Sequence, residues 1–210
     1  MIKFVNVNNR ANYKHLLDQM HRDRKRVFVD WLKWDVPVVD DMEVDQYDTD
    51  DAVYLLSVDP ATGEHVASIR LLPCSVPTLM AEHFADMVQS PVPNDDSAWE
   101  MTRLCANPAI KDKLVQWTGR KNITVAAVEF ALMRGIEQLI FVTHSSWVPT
   151  ILSVGWDIEL LGLPRKDGTE SIAAMRIRIT PDTLALIRRN WGVTEPLLEF
   201  DKDETIAAVA

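Results

Sequence analysis

The chain has 210 residues, and its 22 Lys and Arg against 31 Asp and Glu give a formal net charge of −9. A hydrophobic content of 47% is enough to build a sizeable core, which excludes a disordered chain and favours one domain over two. An acidic chain lacks the positive charge with which proteins bind nucleic-acid phosphates, so we expect no nucleic-acid partner.

The cysteines and the N-terminal segment indicate the compartment. Cys74 and Cys105 stand in no CxxC or Cys/His metal spacing, so we expect both to be buried core residues and expect no metal. The segment MIKFVNVNNR lacks the apolar stretch of a signal peptide, and no run approaches the roughly 18 apolar residues of a membrane span. The sequence predicts a cytoplasmic protein without a membrane partner.

The first predicted elements are a long helix and an acidic loop. Apolar residues spaced by three and four predict a helix over residues 11–32, with Arg24 in its apolar stripe. Because an unpaired buried charge is costly, Arg24 must point to solvent or meet an acidic partner. Residues 40–51 contain seven acids and no base, which predicts an irregular loop over residues 35–51.

Strands and helices then follow in mixed order. The strand-like runs are AVYLLSVD, HVASIRLLP, AWEMTRLCA, LIFVT, WDIELLG and SIAAMRIRIT. The predicted helices are a short one after Pro77, then residues 121–138, residues 149–154, and a last one from Thr180-Pro181-Asp182 to Trp191-Gly192. This order predicts an α/β or α+β sandwich with a mixed sheet, in a single domain over residues 1–210. We expect residues 195–210 to be a peripheral tail.

Several common catalytic motifs are missing from the sequence. It contains no GxxxxGK[ST], GxGxxG, GxSxG or HExxH, and its five histidines have no metal-ligand spacing. Phosphate-loop, Rossmann, common hydrolase and zinc-enzyme functions are therefore excluded. What remains is a set of charged and aromatic residues in otherwise apolar segments.

Three charged residues in predicted strands stand out. Arg70 lies in SIRLLP, where its alternatives are a functional position or an edge-strand position facing solvent. Glu100 and Arg103 lie three apart in AWEMTRLCA, and residues three apart in a regular strand point to opposite faces. The two share a site only if the strand bulges or twists there, so a joint role predicts a bulge.

Nine of these positions resemble the signature of a known family, the acyl-homoserine-lactone synthases, which make the autoinducers of bacterial quorum sensing. The matching residues are Arg24, Phe28, Trp34, Asp45, Asp48, Arg70, Phe84, Glu100 and Arg103. The C-terminal half matches mainly through the order of its elements, with Val142-Thr143 and Gly155-Trp156. Cys74 and Thr78 depart from the family pattern, in a segment that helps to shape its acyl site, so the preferred acyl chain stays open.

The resemblance implies a fold and a reaction. The fold is similar to that of the GCN5-related N-acyltransferases, a mixed, splayed sheet with helices on both faces. The reaction is an acyl transfer from acyl carrier protein or coenzyme A to the amine of S-adenosylmethionine. Lactone closure then releases methylthioadenosine, and no further cofactor is implied. Two alternatives stay open: another thioester-dependent N-acyltransferase, and a non-catalytic ligand-binding relative.

The resemblance also assigns roles to residues. Glu100 is the expected base for the substrate amine, with Arg70 and Arg103 as further catalytic candidates. Aromatic faces and carboxylates suit a sulfonium cation, which places seven residues on the S-adenosylmethionine side: Arg24, Phe28, Trp34, Asp45, Asp48, Phe84 and Arg103. The expected acyl pocket consists of Met80, Thr143, Trp147 and Leu152, for which ordinary core packing is the alternative.

The charges predict two further arrangements. Asp45 and Asp48 compensate either the substrate or the three arginines, and we predict a charge network that links the first helix, the acidic loop and the central strands. The loop should be mobile without substrate; the alternative is an architectural cluster that holds the helix in place. Two basic clusters suit an acidic carrier protein or a coenzyme phosphate: Arg22, Arg24, Lys25 and Arg26, and Lys111, Lys113, Arg120 and Lys121.

Overall fold

A computed structural model of the chain describes residues 1–168 and 170–200. The chain divides into two compact units. The first unit comprises Met1–Arg70, Arg103–Ala127 and the chain from Pro196, and the second comprises Leu71–Thr102 and Val128–Glu195. The single domain expected from the composition therefore remains a prediction.

Strands and helices alternate along the described residues. The strands are β1 (Ile2–Val5), β2 (Val38–Val39), β3 (Met42–Glu43), β4 (Val53–Val58), β5 (His65–Pro73), β6 (Ala98–Ala106), β7 (Gln138–His144), β8 (Ile158–Leu160), β9 (Arg165–Asp167), β10 (Glu170–Arg178) and β11 (Leu198–Glu199). The α-helices are α1 (Lys14–Arg24), α2 (Leu79–His83), α3 (Lys113–Met133), α4 (Val148–Leu152) and α5 (Pro181–Trp191). None of these helices is both long and apolar enough to span a membrane.

The first unit begins with the long helical segment that the sequence predicts over residues 11–32. A 3-10 turn at Arg10–Tyr13 leads into α1, and a π-helical stretch continues to Trp31. The predicted helical segment is thus confirmed. Its backbone hydrogen bonds change along the segment from 3-10 to α to π. Short π-helical insertions occur frequently at functional sites, because they shift side chains away from regular helical positions.

Strands β11, β1, β4 and the first part of β5 lie side by side in the first unit. Strand β1 pairs antiparallel with β4 and parallel with β11, and Lys3 Nζ lies 2.6 Å from a Glu199 carboxylate oxygen. The sequence analysis predicted neither β1 nor β11. Strand β11 lies within the segment expected to be a peripheral tail, and residues 201–210 of that tail lie outside the described residues.

Helix α3 begins eight residues earlier than predicted and ends five residues earlier. The Asp112 carboxylate accepts hydrogen bonds from the backbone N–H of Leu114 at 2.8 Å and of Val115 at 3.4 Å, which caps the helix at its true start. Position 119 lies inside the helix and is a glycine because a Cβ there would come within 3.0 Å of Val66 Cγ1. Close packing against a strand thus explains a glycine that interrupts the amphipathic pattern.

In the second unit, a parallel ladder joins β6 to β7 over Ala98–Glu100, and β7 pairs antiparallel with β10. Strands β8 and β9 both pair with β10; β9 was not predicted. The mixed sheet with packed helices confirms the predicted fold class. One buried cluster in the core of this unit comprises Cys74, Met80, Met87, Ala98, Ile140, Ile172 and Ala174.

Both cysteines are buried and unpaired, as predicted. Burial raises the pKa of the Cys74 thiol to about 12, and the nearby Glu100 carboxylate acts in the same direction. Burial likewise raises the pKa of the Cys105 thiol to about 12. Both thiols are therefore protonated at neutral pH and act as small apolar side chains.

Candidate active site

The acidic segment of the first unit forms a short hairpin and a turn rather than an irregular loop. Strands β2 and β3 are joined at Asp40 and Asp41, which have φ angles of 50° and 61°, as a tight hairpin turn requires. Asp48 Oδ2 accepts a hydrogen bond from the Asp45 backbone N–H at 2.9 Å. The carboxylates at the end of this segment are therefore held by its own backbone. The predicted mobility of the segment without substrate remains a prediction.

Arg24 meets two carboxylates from this segment. Its Nε donates to Glu43 Oε2 at 2.5 Å, and its two Nη atoms donate to the two oxygens of Asp48 at 2.8 and 2.9 Å. The bidentate contact uses the planar fork of the guanidinium, a geometry that lysine does not offer. The acidic partner that the sequence required for Arg24 is thus present in the folded chain.

Arg70 and Arg103 each share one carboxylate with Arg24, and both also bind Asp45. The Arg70 Nη atoms donate to the oxygens of Asp45 at 2.5 and 3.1 Å, and Nη1 lies 2.9 Å from Asp48 Oδ1. Arg103 Nη2 donates to Glu43 Oε1 at 2.9 Å and to Asp45 Oδ2 at 2.6 Å. Arg70 is therefore buried and paired, and the alternative of an edge arginine facing solvent is wrong.

These six residues form what we call the ion cluster: Arg24, Glu43, Asp45, Asp48, Arg70 and Arg103. Each of their side chains is 6% exposed or less, and three positive charges balance three negative charges. The predicted charge network is confirmed. Glu43 was not among the residues predicted for this network; the hairpin of β2 and β3 places it there.

Burial opposes the ionisation of Asp48, but the guanidinium groups of Arg24 and Arg70 outweigh it and hold the pKa of that carboxyl well below its usual range. The Tyr54 hydroxyl donates to Asp48 Oδ1 at 2.8 Å. Burial, together with the Asp48 charge, raises the pKa of Tyr54, so the phenol stays protonated and remains a donor. Asp48 therefore stays ionised at neutral pH, with the neutral Tyr54 phenol as one of its donors.

His21 lies next to the cluster, with its Nδ1 2.9 Å from the Glu43 carbonyl oxygen. Burial, reinforced by the Arg24 guanidinium, lowers the pKa of His21 below its ordinary value of 6.5. The folded state thus binds this proton more weakly than the unfolded state does. The contribution of His21 to stability is complete above pH 6.5 and is lost as the pH falls below that value.

We expect the free energy of unfolding to fall in two stages on acidification. The first stage, below pH 6.5, reports His21, and the second, below the ordinary Asp48 pKa of 3.8, reports the lowered pKa of that carboxyl. Urea denaturation at a series of pH values measures both stages. His21→Asn keeps a donor for the Glu43 carbonyl and cannot take up a proton, so it should remove the first stage and keep the second. A wild-type profile that is flat below pH 6.5 contradicts the assignment.

An aromatic pair covers one arginine of the cluster. The rings of Phe28 and Trp34 stack with centroids 4.8 Å apart, and Arg103 Cζ lies 5.4 Å from the Phe28 centroid and 5.9 Å from that of Trp34. Lys33 has a φ angle of 61°, and the Trp34 N–H donates to the Phe28 carbonyl at 2.8 Å, which folds Trp34 back over Phe28. The pair already binds one cation through its ring faces.

The backbone of β6 departs from the extended conformation at Arg103, which has a φ angle of 56°. This confirms the irregularity that a joint role of Glu100 and Arg103 predicts in the strand. The described hydrogen bonds nevertheless give the two side chains different partners. Those of Arg103 go to Glu43 and Asp45 in the first unit, and those of Glu100 are made in the second unit.

Glu100 binds the beginning of helix α2. Its Oε2 accepts from the Leu79 backbone N–H at 2.9 Å and its Oε1 from that of Met80 at 2.6 Å, while Thr78 Oγ1 accepts from the Ala81 N–H at 3.4 Å. The first N–H groups of a helix have no acceptor within the helix. Glu100 thus positions α2, a contact that the sequence did not indicate.

Phe84 follows α2, and its ring face is covered by another cation. Arg165 Cζ lies 5.5 Å from the Phe84 centroid, and its Nη1 donates to both carboxylate oxygens of Asp86, at 2.7 and 2.5 Å. Arg165 also lines a surface cleft of about 490 Å³ together with Asp86 and Leu163. The ring that was expected to face a sulfonium cation therefore faces a guanidinium in the folded chain.

The four predicted acyl-pocket residues differ in exposure. Met80 is fully buried in the core of the second unit, and Thr143 is half-buried on β7. Trp147 and Leu152 are 41% and 50% exposed. Met80 is therefore packed in the core, which was the alternative to a pocket position. Trp147 and Leu152 instead expose apolar side-chain surface to solvent.

The two predicted basic clusters also differ. In the first, Arg24 is buried in the ion cluster, Lys25 lies 3.1 Å from both Asp30 and Asp41, and Arg26 lies 3.0 Å from Asp23. Much of this charge is therefore compensated within the first unit. In the second cluster, Lys111 and Lys113 are exposed at the beginning of α3, and Arg120 and Lys121 are half-buried.

Comparisons with known proteins identify the family of this chain. A family model described as autoinducer synthase matches residues 7–185. An isovaleryl-homoserine lactone synthase from Bradyrhizobium diazoefficiens is 30% identical over 199 residues, which cover 92% of this chain and 86% of the relative.

Solved structures are similar to this chain in fold. A structure of BjaI, a CoA-dependent acyl-homoserine lactone synthase, with S-adenosylmethionine and isopentyl-CoA has a TM-score of 0.85 and 28% identity, covering 96% of this chain and 93% of that one. A putative N-acetyltransferase from Lactobacillus plantarum, at 16% identity, covers 85% of this chain and 99% of that one with a TM-score of 0.53, a likeness of fold alone. The chain therefore belongs to the autoinducer synthase family and is an enzyme of the acyl-homoserine-lactone synthase type.

Proposed function

We propose that this chain makes an N-acyl-L-homoserine lactone from S-adenosylmethionine and an acyl thioester, with coenzyme A as the acyl carrier. The observation that carries the proposal is the ion cluster, because its arginines and two of its three carboxylates occupy positions of the synthase signature. The likeness to a CoA-dependent synthase over 96% of the chain supports coenzyme A over acyl carrier protein.

The reaction has two steps. The α-amino group of the substrate ionises near pH 8, loses a proton and attacks the thioester carbonyl, and the thiolate of coenzyme A leaves. The carboxylate of the same substrate then attacks its own γ-carbon, which closes the lactone and expels methylthioadenosine. This second step depends mainly on a protein that holds the chain in a folded conformation.

Phe28 and Trp34 are the proposed contacts of the sulfonium cation. The charges of the ion cluster sum to zero, so we assign Arg24, Asp45 and Asp48 to positioning rather than to direct compensation of the substrate. The assignment of Phe28 and Trp34 is supported by Arg103, whose guanidinium already lies against both rings. Both ring faces therefore accept a cation. Phe84 joins this group on the resemblance alone.

Glu100 is the proposed base for the amine. Its two oxygens accept the backbone N–H groups of Leu79 and Met80, which fixes the orientation of the carboxylate for a proton delivered directly or through water. The left-handed backbone at Arg103 turns the adjacent peptide out of the regular strand direction. We assign the amides of residues 103–105 to the developing oxyanion, with Arg70 and Arg103 holding this segment.

A short, branched acyl chain is the proposed donor group. The similar synthase from Bradyrhizobium diazoefficiens carries an isovaleryl specificity in its name. The core around Met80 is filled by side chains, which favours a small acyl group, and Thr143, Trp147 and Leu152 are the proposed further contacts. Lys111 and Lys113 are the proposed contacts of the coenzyme phosphates, because both are exposed at the start of α3.

The test incubates the purified protein with S-adenosylmethionine and isovaleryl-CoA, longer acyl-CoA compounds, or isovaleryl acyl carrier protein. Methylthioadenosine release and lactone formation are measured by mass spectrometry. A lactone formed best from isovaleryl-CoA supports the proposal, and a lactone formed from carrier protein alone contradicts the assigned donor. Acylation without methylthioadenosine indicates another N-acyltransferase, and no product with any donor indicates a ligand-binding relative.

A further inference from the structure

A second buried polar pair in the first unit, outside the ion cluster, joins α1 to the beginning of β5. His65 Nδ1 lies 2.7 Å from Asp23 Oδ2, and the two side chains are 0% and 3% exposed. The His65 backbone N–H donates to Gln19 Oε1 at 3.0 Å, and Asn107 Nδ2 donates to the His65 carbonyl at 3.0 Å. Three side chains therefore hold this one residue.

The pair acts at the turn of the helix that carries Arg24. Gln19 and Asp23 are four residues apart and lie on one face of α1, and Arg24 is the next residue along the chain. The π-helical stretch begins directly afterwards, at Lys25. A regular helix therefore ends at Arg24, and a contact at Asp23 fixes the axial and rotational position of that last turn.

The strand that carries His65 also carries Arg70 of the ion cluster. His65 begins β5, and Arg70 follows five residues later in the same strand, roughly 16 Å along it. Arg24 and Arg70 both reach Asp48 Oδ1, at 2.8 and 2.9 Å. Both distances hold only if α1 and β5 keep one relative position, which the Asp23–His65 contact provides.

We propose that Asp23 and His65 are a positioning pair for S-adenosylmethionine binding. The His65 Nδ1–H donates to the Asp23 carboxylate, and this bond holds Arg24 on Asp48, so that the ion cluster keeps Phe28 and Trp34 in place. The His65 Nε2 atom is buried without a hydrogen-bond partner among the described residues, so the polar role of the ring rests on Nδ1. The inference rests on the proposed function, because it concerns the affinity for that substrate.

Two substitutions at position 65 separate the two ring nitrogens. Asparagine places an amide N–H near the position of Nδ1, and glutamine places it near that of Nε2. We expect His65→Asn to keep the KM for S-adenosylmethionine within about twofold of the wild type. His65→Gln loses one buried hydrogen bond and should raise that KM by about tenfold, with the KM for acyl-CoA and the kcat nearly unchanged.

Val66→Ala is the matched control, because it removes buried volume at the next position of β5, where the side chain lies on the opposite face of the strand from His65. It should lower the unfolding midpoint and leave both KM values unchanged. Equal KM values for His65→Asn and His65→Gln overturn the inference, as does a parallel rise of both KM values in His65→Gln. Calorimetric titration with S-adenosylmethionine repeats the comparison without turnover. A wild type that binds this substrate but makes no lactone contradicts the proposed function alone, and one that does not bind it contradicts both.

Discussion

Arg24→Ala is expected to lower the free energy of unfolding by about 3–5 kcal/mol and to reduce lactone formation by at least about 10²-fold. The substitution removes the guanidinium that binds Glu43 and Asp48 and leaves two carboxylates buried without this partner. The activity falls because Arg103, which packs against the aromatic pair, binds the same Glu43 carboxylate as Arg24. Urea denaturation and methylthioadenosine release measure the two effects.

Two further variants test this explanation. Lys14→Ala removes a cation from the same helix, but Lys14 is 78% exposed in its pair with Asp18, so stability should change by less than about 0.5 kcal/mol. Arg24→Lys keeps the charge and loses the bidentate fork, so its stability should lie between the wild type and Arg24→Ala. If Arg24→Ala is as stable and as active as Lys14→Ala, the ion cluster has no role in either property.

Glu100→Gln is expected to lower kcat by about 10²–10⁴-fold while the affinity for S-adenosylmethionine changes by less than about threefold. The amide cannot take the proton of the substrate amine, whereas the expected substrate contacts lie on other residues. Single-turnover kinetics measures the acylation step, and calorimetric titration measures the affinity.

The contact with α2 requires a control for structural damage. Glutamine can accept only one of the two N–H bonds from Leu79 and Met80, so Glu100→Gln should also cost about 1–3 kcal/mol of stability. Glu129 is a second buried glutamate of the same unit, with Oε1 2.7 Å from Arg188 Nη2. Glu129→Gln should lose similar stability and keep its kcat. Equal kcat values in the two variants would remove Glu100 from the role of base.

The relation between sequence and structure is clearest at Arg24. A guanidinium in an apolar helical stripe must either reach solvent or meet an acidic partner, and the acidic segment of residues 40–51 offered such a partner. The charge network was therefore predictable as a class of contact. The individual partners were less predictable. Glu43 is brought to Arg24 by the hairpin turn at Asp40 and Asp41, and the positive φ angles of these two aspartates are not evident from composition.

Long-range pairing accounts for most of what was missed in the fold. Strands β1 and β11 are 196 residues apart at Lys3 and Glu199, and a strand of two or four residues has too little periodicity to be recognised without its partner. The early start of α3 depends on the Asp112 cap and on the packing of Gly119 against β5. The Asp112 cap is a local signal that the prediction did not use, whereas the packing of Gly119 depends on the folded chain.

Local patterns in the sequence were sufficient for the helical segments, for strands β4–β8 and β10 and for the buried cysteines, because residue spacing and composition express burial directly. The nine signature positions came from the resemblance to a family, and the hairpin in the acidic segment was not predicted. The closed ring of three arginines and three carboxylates, the left-handed backbone at Arg103 and the two backbone bonds of Glu100 required the folded chain. Each of these joins groups that are distant in sequence or lies in a conformation that the residue does not prefer on its own. The contacts that stabilise them form only after the segments meet, and they offset the cost of burying the charges.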